Sequence, residues 1–206
     1  MKIEITAIGN ELTSGHNTTL SLTASGLLQA GFAIGAIDCI GEAVYGHDQE
    51  SLPLIVGRLL LASKKTLATA ESCTGGMIGQ WLTAIPGSSA WYQGGVICYA
   101  NRVKEEVLAV PAAILAAHGA VSAEVATAMS MGARRLCHAD LAVAVTGIAG
   151  PDGGSAEKPV GTVYIGLADA DGAKAERFLF HGDRQRIREM SAQTALKMVR
   201  KLLLAS

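Results

Sequence analysis

One stretch, Thr69-Ala-Glu-Ser-Cys-Thr-Gly-Gly76, constrains what this chain can fold into more than any other. Residues 66–70 form a short apolar run, and the residues after Gly76 have helical spacing, so the stretch reads as a turn from strand into helix. A small polar side chain at such a turn stands at the end of a sheet. The first N–H groups of the following helix lack intrahelical acceptors and can receive a developing anion. Ser72 and Cys73 are both nucleophiles in principle, and adjacent residues leaving a strand point to opposite sides, so only one can face a cleft. Ser72 has no lysine three residues on, because position 75 is glycine. Cys73 has no histidine close in sequence and reads equally well as a small buried hydrophobe. The stretch alone leaves the choice open.

The rest of the chain predicts what surrounds this turn. Residues 2–8 alternate apolar with polar, a helix capped at Thr18 or Thr19 follows, and residues 32–40 look like a second strand, so residues 1–46 form a small β-α-β segment with a boundary near residues 45–47. From residue 48, Leu52, Ile55, Val56, Leu59 and Leu60 share a helical face, with Lys64 and Lys65 at its C-terminus. After the turn come a short helix through Ile78, Trp81 and Leu82, a loop over residues 88–93, and a strand over residues 95–99. Asn101 is expected to cap a helix carrying Lys104 and Val107, and a short helix starts at Pro111. Ser122 caps a helix with Val125, Ala126, Met129, Ala133 and Leu136 inward. Residues 141–145 read as a central strand feeding a second glycine-rich loop, Thr146-Gly-Ile-Ala-Gly-Pro-Asp-Gly-Gly154. Residues 161–168 and 174–180 are strands joined at Asp171-Gly172, a hairpin signal. Asp183 caps a last helix with Ile187, Met190, Leu196, Val199 and Leu203 on its apolar face. Alternating strands and helices plus a late hairpin predict an α/β protein: a three-layer α/β/α sandwich with a mixed, mostly parallel sheet.

Composition excludes several function classes. The net charge of −1 and pI near 6.5 supply no basic field for nucleic acid. The start has no signal-like apolar region, and residues 52–62 are too short and too interrupted by Arg58 to span a membrane. The 4 cysteines lack any C-x-x-C pair and the 5 histidines any i, i+4 pair, which fits reduced thiols in a cytoplasmic protein and no metal site.

The remaining polar candidates lie near strand ends. Lys104, partly desolvated, would have a lowered pKa and could take the serine proton, with Tyr99 relaying it. By spacing alone, Lys104 reads rather as a solvated helix residue and Tyr99 as a core aromatic. His118 and His138 fit helix-end or loop positions. Neither glycine-rich loop matches a Walker A or dinucleotide fingerprint. Both follow strands, however, and together they predict one shared crevice where backbone amides approach a ligand.

Two resemblances add to this reading. Ala7-Ile-Gly-Asn-Glu-Leu12 with Gly15 resembles the opening of the molybdopterin-binding-like domain that precedes the amidase domain in full-length CinA proteins. Only that opening is present, so residues 1–46 are expected to be a truncated structural appendage. Far more specific are the 69–76 motif, Ile85-Pro-Gly-Ser-Ser-Ala-Trp91, Tyr99-Ala-Asn101 with Lys104, His118-Gly-Ala-Val-Ser122, the 146–154 loop with Lys158-Pro-Val-Gly-Thr162, and Gly182-Asp-Arg184. In order and spacing these resemble the CinA C-terminal domain family across residues 48–206. The resemblance implies a nicotinamide-mononucleotide (NMN) amidase of pyridine-nucleotide recycling, with Ser72 as nucleophile, Lys104 as general base and Tyr99 as assisting hydroxyl. Amides near Thr74, Gly75 and Gly76 would meet the oxyanion, and Asn101, Thr146, Gly147, Ala149 and Gly150 would contact the substrate. It implies no cofactor. Cys98 and Arg102-Val103 depart from other members beside these positions, which bears on rate more than on chemistry.

Two other classes stand beside this one. A metal-dependent ADP-ribose pyrophosphatase would need a carboxylate cluster, where the chain offers dispersed residues such as Glu71 and Asp152. A nucleotide-binding or assembly module would bind NMN without turnover. The incomplete 1–46 segment has apolar surface to cover, which predicts a homo-oligomer, at least a dimer.

Overall fold

The computed structural model describes residues 51–205. The expected 1–46 segment, with its strands, helix and boundary, lies outside the described residues. Contacts group residues 56–206 into one compact unit, to which almost all of the description belongs.

The described elements are α1 (Leu52–Ser63), β1 (Leu67–Glu71), α2 (Met77–Thr83), a 3-10 turn (Ser88–Ala90), β2 (Tyr92–Ile97), α3 (Asn101–Glu106), α4 (Ala112–His118), α5 (Ala123–Leu136), β3 (Leu141–Gly147), β4 (Thr162–Ala168), β5 (Ala173–Leu179) and α6 (Arg184–Leu204). The strands lie in the order β2-β1-β3-β4-β5. β1 pairs in parallel with both β2 and β3, and β4 runs antiparallel to β3 and β5, so β4 alone opposes the common direction. The expected mixed α/β/α sandwich is what forms.

Burial follows from strand position. β1 is buried throughout and β3 nearly so, as strands covered on both faces must be, whereas β2 and β5 at the edges alternate in exposure. On one face Ala68, Ala70, Ala142 and Ala144 meet Val125, Met129 and Ala133 of α5, with Leu108, Val110 and Leu115 closing the cluster. Small residues let α5 sit close: a Cβ at Gly166 would strike the Ala126 carbonyl oxygen. The opposite face carries α2 and α6, where Ile187, Leu196, Val199 and Leu203 are buried. Each such side chain contributes about 1.5–3 kcal/mol by leaving water.

Local signals decide most boundaries. Ser122 accepts the Val125 N–H, and Asp183 accepts the Arg186 N–H at 2.8 Å, so both expected caps are in place. The β4–β5 turn forms where Asp171-Gly172 stands, with Asp169 Oδ1 accepting the Asp171 and Gly172 N–H groups. Several expectations need correction. β2 starts at Tyr92 and ends at Ile97, because its pairing with β1 runs from Leu67↔Tyr92 to Glu71↔Ile97; Tyr99 therefore lies beyond the strand. Ala100, not Asn101, is the N-cap of α3: it is extended, and its carbonyl accepts the Val103 N–H, leaving Asn101 as the first helical residue. α1 ends at Ser63, with Lys64 in the left-handed region at φ 54°. Leu136, in the last turn of α5, is 48% exposed rather than inward.

Candidate active site

The turn after β1 is built around a buried carboxylate. Glu71, the last residue of β1, is 2% exposed and accepts the N–H groups of Gly76 (3.0 Å), Ile78 (3.1 Å) and Gly79 (2.8 Å). An anion at a helix N-terminus satisfies orphan donors and opposes the helix dipole. Gly75 (φ 63°) and Gly76 (φ 94°) supply the left-handed backbone that folds residues 72–76 back over this carboxylate. Nearby, the Thr69 and Tyr92 hydroxyls are 2.7 Å apart, and a Cβ at Gly79 would come within 2.9 Å of the Tyr92 oxygen.

Ser72 stands beside Lys104. The Ser72 N–H continues the β1–β3 ladder to the Val145 carbonyl, and its side chain, 8% exposed, has Oγ 3.2 Å from Lys104 Nζ. Lys104 reaches this position by two steps. The Cys98 N–H bonds the Glu71 carbonyl one position beyond β2, which fixes where the chain leaves the sheet. One turn into α3, the Lys104 side chain then leans back towards the helix start, as helical side chains do. Its Nζ donates to the Cys98 carbonyl at 2.7 Å and the Tyr99 carbonyl at 3.2 Å.

Lys104 is 1% exposed, and burial lowers its pKa from the ordinary 10.5. A neutral amine has two N–H donors and one lone pair. Nζ donates to both carbonyls and to Ser72 Oγ; in the neutral form the two carbonyls can hold both N–H donors and leave the lone pair towards the Ser72 hydroxyl, a geometry that suits a base. Cys73 differs sharply: burial pushes its thiol up to about 12, and its carbonyl rather than its sulfur meets a partner, Arg188. A thiol so far from ionisation is a poor nucleophile.

The remaining sequence candidates fall into distinct places. Tyr99 is 64% exposed, and its hydroxyl accepts from Arg184 Nη2 at 3.3 Å rather than meeting Ser72. Asn101 is exposed at the start of α3. The Gly76 N–H is taken by Glu71, and the Gly75 N–H donates to the Ser72 carbonyl at 3.2 Å. The Cys73 and Thr74 N–H groups meet no acceptor among the described residues. The Thr74 hydroxyl is likewise buried without a partner.

Because β1 and β3 are parallel neighbours, the two glycine-rich loops leave the same end of the sheet. The second loop is spent largely on its own packing. The Thr146 hydroxyl donates to the Ala120 carbonyl at 2.7 Å, a Cβ at Gly147 would meet Val163 at 2.6 Å, and Ala149 is buried. The Gly150 carbonyl accepts from Arg184 Nη1 at 2.7 Å, so Arg184 ties this loop to Tyr99. Lys158 Nζ closes the neighbouring segment on the His118 and Val121 carbonyls. Residue spacing missed Glu71 as a cap and Arg184 and Arg188 as ties; the one available signal was a pair of arginines four apart on the opening of the last helix. Among the described residues no group of three or more His, Cys, Asp or Glu side chains is placed to hold a metal, and His118 and His138 lie on the exposed surface.

Fold and site define a class: a mixed-sheet α/β/α protein with a buried serine–lysine contact on a strand-to-helix turn. The chain belongs to the CinA C-terminal domain family, whose model matches residues 49–203. CinA-like proteins from Geotalea uraniireducens and Geobacter metallireducens are 50% identical over 162 residues and 51% identical over 185 residues, covering 79% and 90% of this chain. These alignments cover 39% and 44% of the relatives, so the chain spans about two-fifths of the length of the curated relatives it matches. Among solved structures, a competence-damaged protein (CinA) superfamily protein from Klebsiella pneumoniae superposes with TM-score 0.73 at 35% identity, covering 75% of this chain and 97% of that one. A competence/damage inducible protein from Agrobacterium tumefaciens gives TM-score 0.69 at 39% identity, covering 74% and 96%.

Proposed function

We propose that this chain hydrolyses the carboxamide of NMN to nicotinate mononucleotide and ammonia. The single observation that carries the reading is Lys104 Nζ lying 3.2 Å from Ser72 Oγ while two carbonyls occupy its other donor directions. Neutral Lys104 takes the Ser72 proton as Oγ bonds to the amide carbon. The Thr74 N–H receives the oxyanion, the C–N bond breaks, and ammonia leaves with the proton returned from Lys104. Water, deprotonated by the same amine, then releases the acid and restores Ser72. Tyr99 has its assisting role from the family resemblance, acting at the cleft mouth beside Arg184, with Asn101 and the 146–150 loop contacting the nucleotide. The choice of NMN also rests on that resemblance.

Ammonia release from NMN tests the reading, with Ser72→Ala and Cys73→Ala alongside. Activity that survives in Ser72→Ala and disappears in Cys73→Ala would remove the serine assignment. Tight NMN binding with no turnover would instead support the binding-module alternative. We also propose a homodimer or larger assembly in the cytoplasm; a light-scattering mass equal to one chain would overturn the assembly. Among the described residues no helix is long and apolar enough to cross a membrane.

A further inference from the structure

The chemistry proposed for Ser72 and Lys104 makes no use of two strong hydrogen bonds on the nucleophile turn. Arg188, in α6, donates from Nε to the Cys73 carbonyl at 3.1 Å and from Nη2 to the Thr74 carbonyl at 2.9 Å, while Nη1 donates to Gln185 Oε1 at 3.0 Å. The 73–74 peptide is trans, so its C=O and N–H point in opposite directions. Holding the Cys73 carbonyl therefore aims the Thr74 N–H away from the guanidinium. The next peptide plane is fixed at both ends, by Arg188 on the Thr74 carbonyl and by the Gly75 N–H on the Ser72 carbonyl. Of the two N–H groups in these planes, that of Gly75 meets the Ser72 carbonyl and that of Thr74 has no acceptor among the described residues. A cation bonded to an amide oxygen also draws electron density through the amide, which strengthens its N–H as a donor.

We infer that Arg188 is a positioning residue: it orients and polarises the Thr74 N–H to receive the oxyanion formed by Ser72, without touching substrate itself. The inference rests on the amidase reading. Glu71 makes it necessary, because its carboxylate already occupies the Gly76, Ile78 and Gly79 donors at the start of α2. The helix N-terminus is thus spent, and the stabilisation of the oxyanion falls on the turn.

The test is steady-state ammonia release from NMN by wild type, Arg188→Met and Arg188→Lys, with melting temperatures. Arg188→Met is expected to lose about 10²-fold in kcat, as for a lost oxyanion donor, while KM changes by less than about twofold. Arg188→Lys keeps a cation on one carbonyl and falls between. Added guanidinium ion at millimolar concentration restores part of the kcat lost in Arg188→Met, which a purely structural defect would not show. Unchanged kcat in Arg188→Met, or a loss confined to KM, overturns the inference while leaving the amidase reading standing. If Arg188→Met does not fold, Arg188→Lys decides: a native melting temperature with several-fold lower kcat supports the role, and wild-type kcat sinks it. Wild type releasing no ammonia overturns the amidase reading and this inference together.

Discussion

The two glycine-rich loops look alike as sequence and leave neighbouring strands at the same end of the sheet, yet they do different physical work. In residues 71–76 the glycines take left-handed φ so that the backbone can wrap Glu71, and the turn leaves the Cys73 and Thr74 N–H groups without an acceptor among the described residues, beside a serine in contact with a buried amine. In residues 147–161 the glycines mostly make room for the protein's own atoms: Cβ atoms at Gly147, Gly150 and Gly161 would strike Val163, Val160 and the Phe180 carbonyl. Glycine content therefore signals close backbone approach, but not what approaches.

Substitutions can break or sharpen this contrast. The largest effect is expected in the first loop: Ser72→Ala should lower kcat by at least about 10³-fold, whereas Cys73→Ala, which removes a buried thiol raised to about 12, should leave ammonia release nearly intact. Lys104→Met should lower kcat by about 10²–10⁴-fold, the range of a lost general base, and change the pH dependence of stability. The sign follows from burial, which disfavours charged Lys104 and lowers its folded pKa below 10.5. Below that folded pKa the amine costs stability in full, and the cost fades as pH rises from there to 10.5. Relative to wild type, methionine is thus most favourable below the folded pKa of Lys104, readable by calorimetry across pH. The same shift predicts that kcat/KM of the wild type rises with pH and levels off at an apparent pKa below 10.5; a profile with no rise anywhere below 10.5 would remove Lys104 as the base.

Smaller effects fall on the scaffolds. Glu71→Gln keeps an acceptor but loses the charge and opposes the helix N–H groups with its own NH₂, for an expected loss of about 1–3 kcal/mol in chemical denaturation. In the second loop Gly161→Ala should cost about 1–3 kcal/mol, because the residue has φ 93° and its Cβ would meet the Phe180 carbonyl. Its kcat should change far less than that of Ser72→Ala. Asp152→Ala, on the exposed part of that loop, should stay within about 0.5 kcal/mol of wild type. A large kcat loss in Gly161→Ala with native stability would show that the second loop carries chemistry after all.

Much of this was legible in the chain because it depends on near neighbours. The strand–turn–helix at residues 67–83, the caps at Ser122 and Asp183, the hairpin at Asp171-Gly172 and the α/β/α class all follow from local spacing and turn chemistry. Boundaries set by pairing were less legible: β2 begins at Tyr92 because β1 fixes its register, and Leu136 is exposed although its helical spacing places it with the inward residues of α5. The Ser72–Lys104 contact spans 32 positions, and the Arg188 bonds span 115 and 114. No periodicity encodes such distances. By itself the sequence determined the strand-to-helix turn, the candidate nucleophiles and the family. Only the tertiary structure decided that Ser72 rather than Cys73 meets an amine, that this amine is buried, and that Tyr99 offers it a carbonyl while its phenol turns to Arg184. The physical reason is that desolvation and hydrogen-bond geometry belong to the packed neighbourhood of a group, and parallel strand register assembles that neighbourhood from distant parts of the chain.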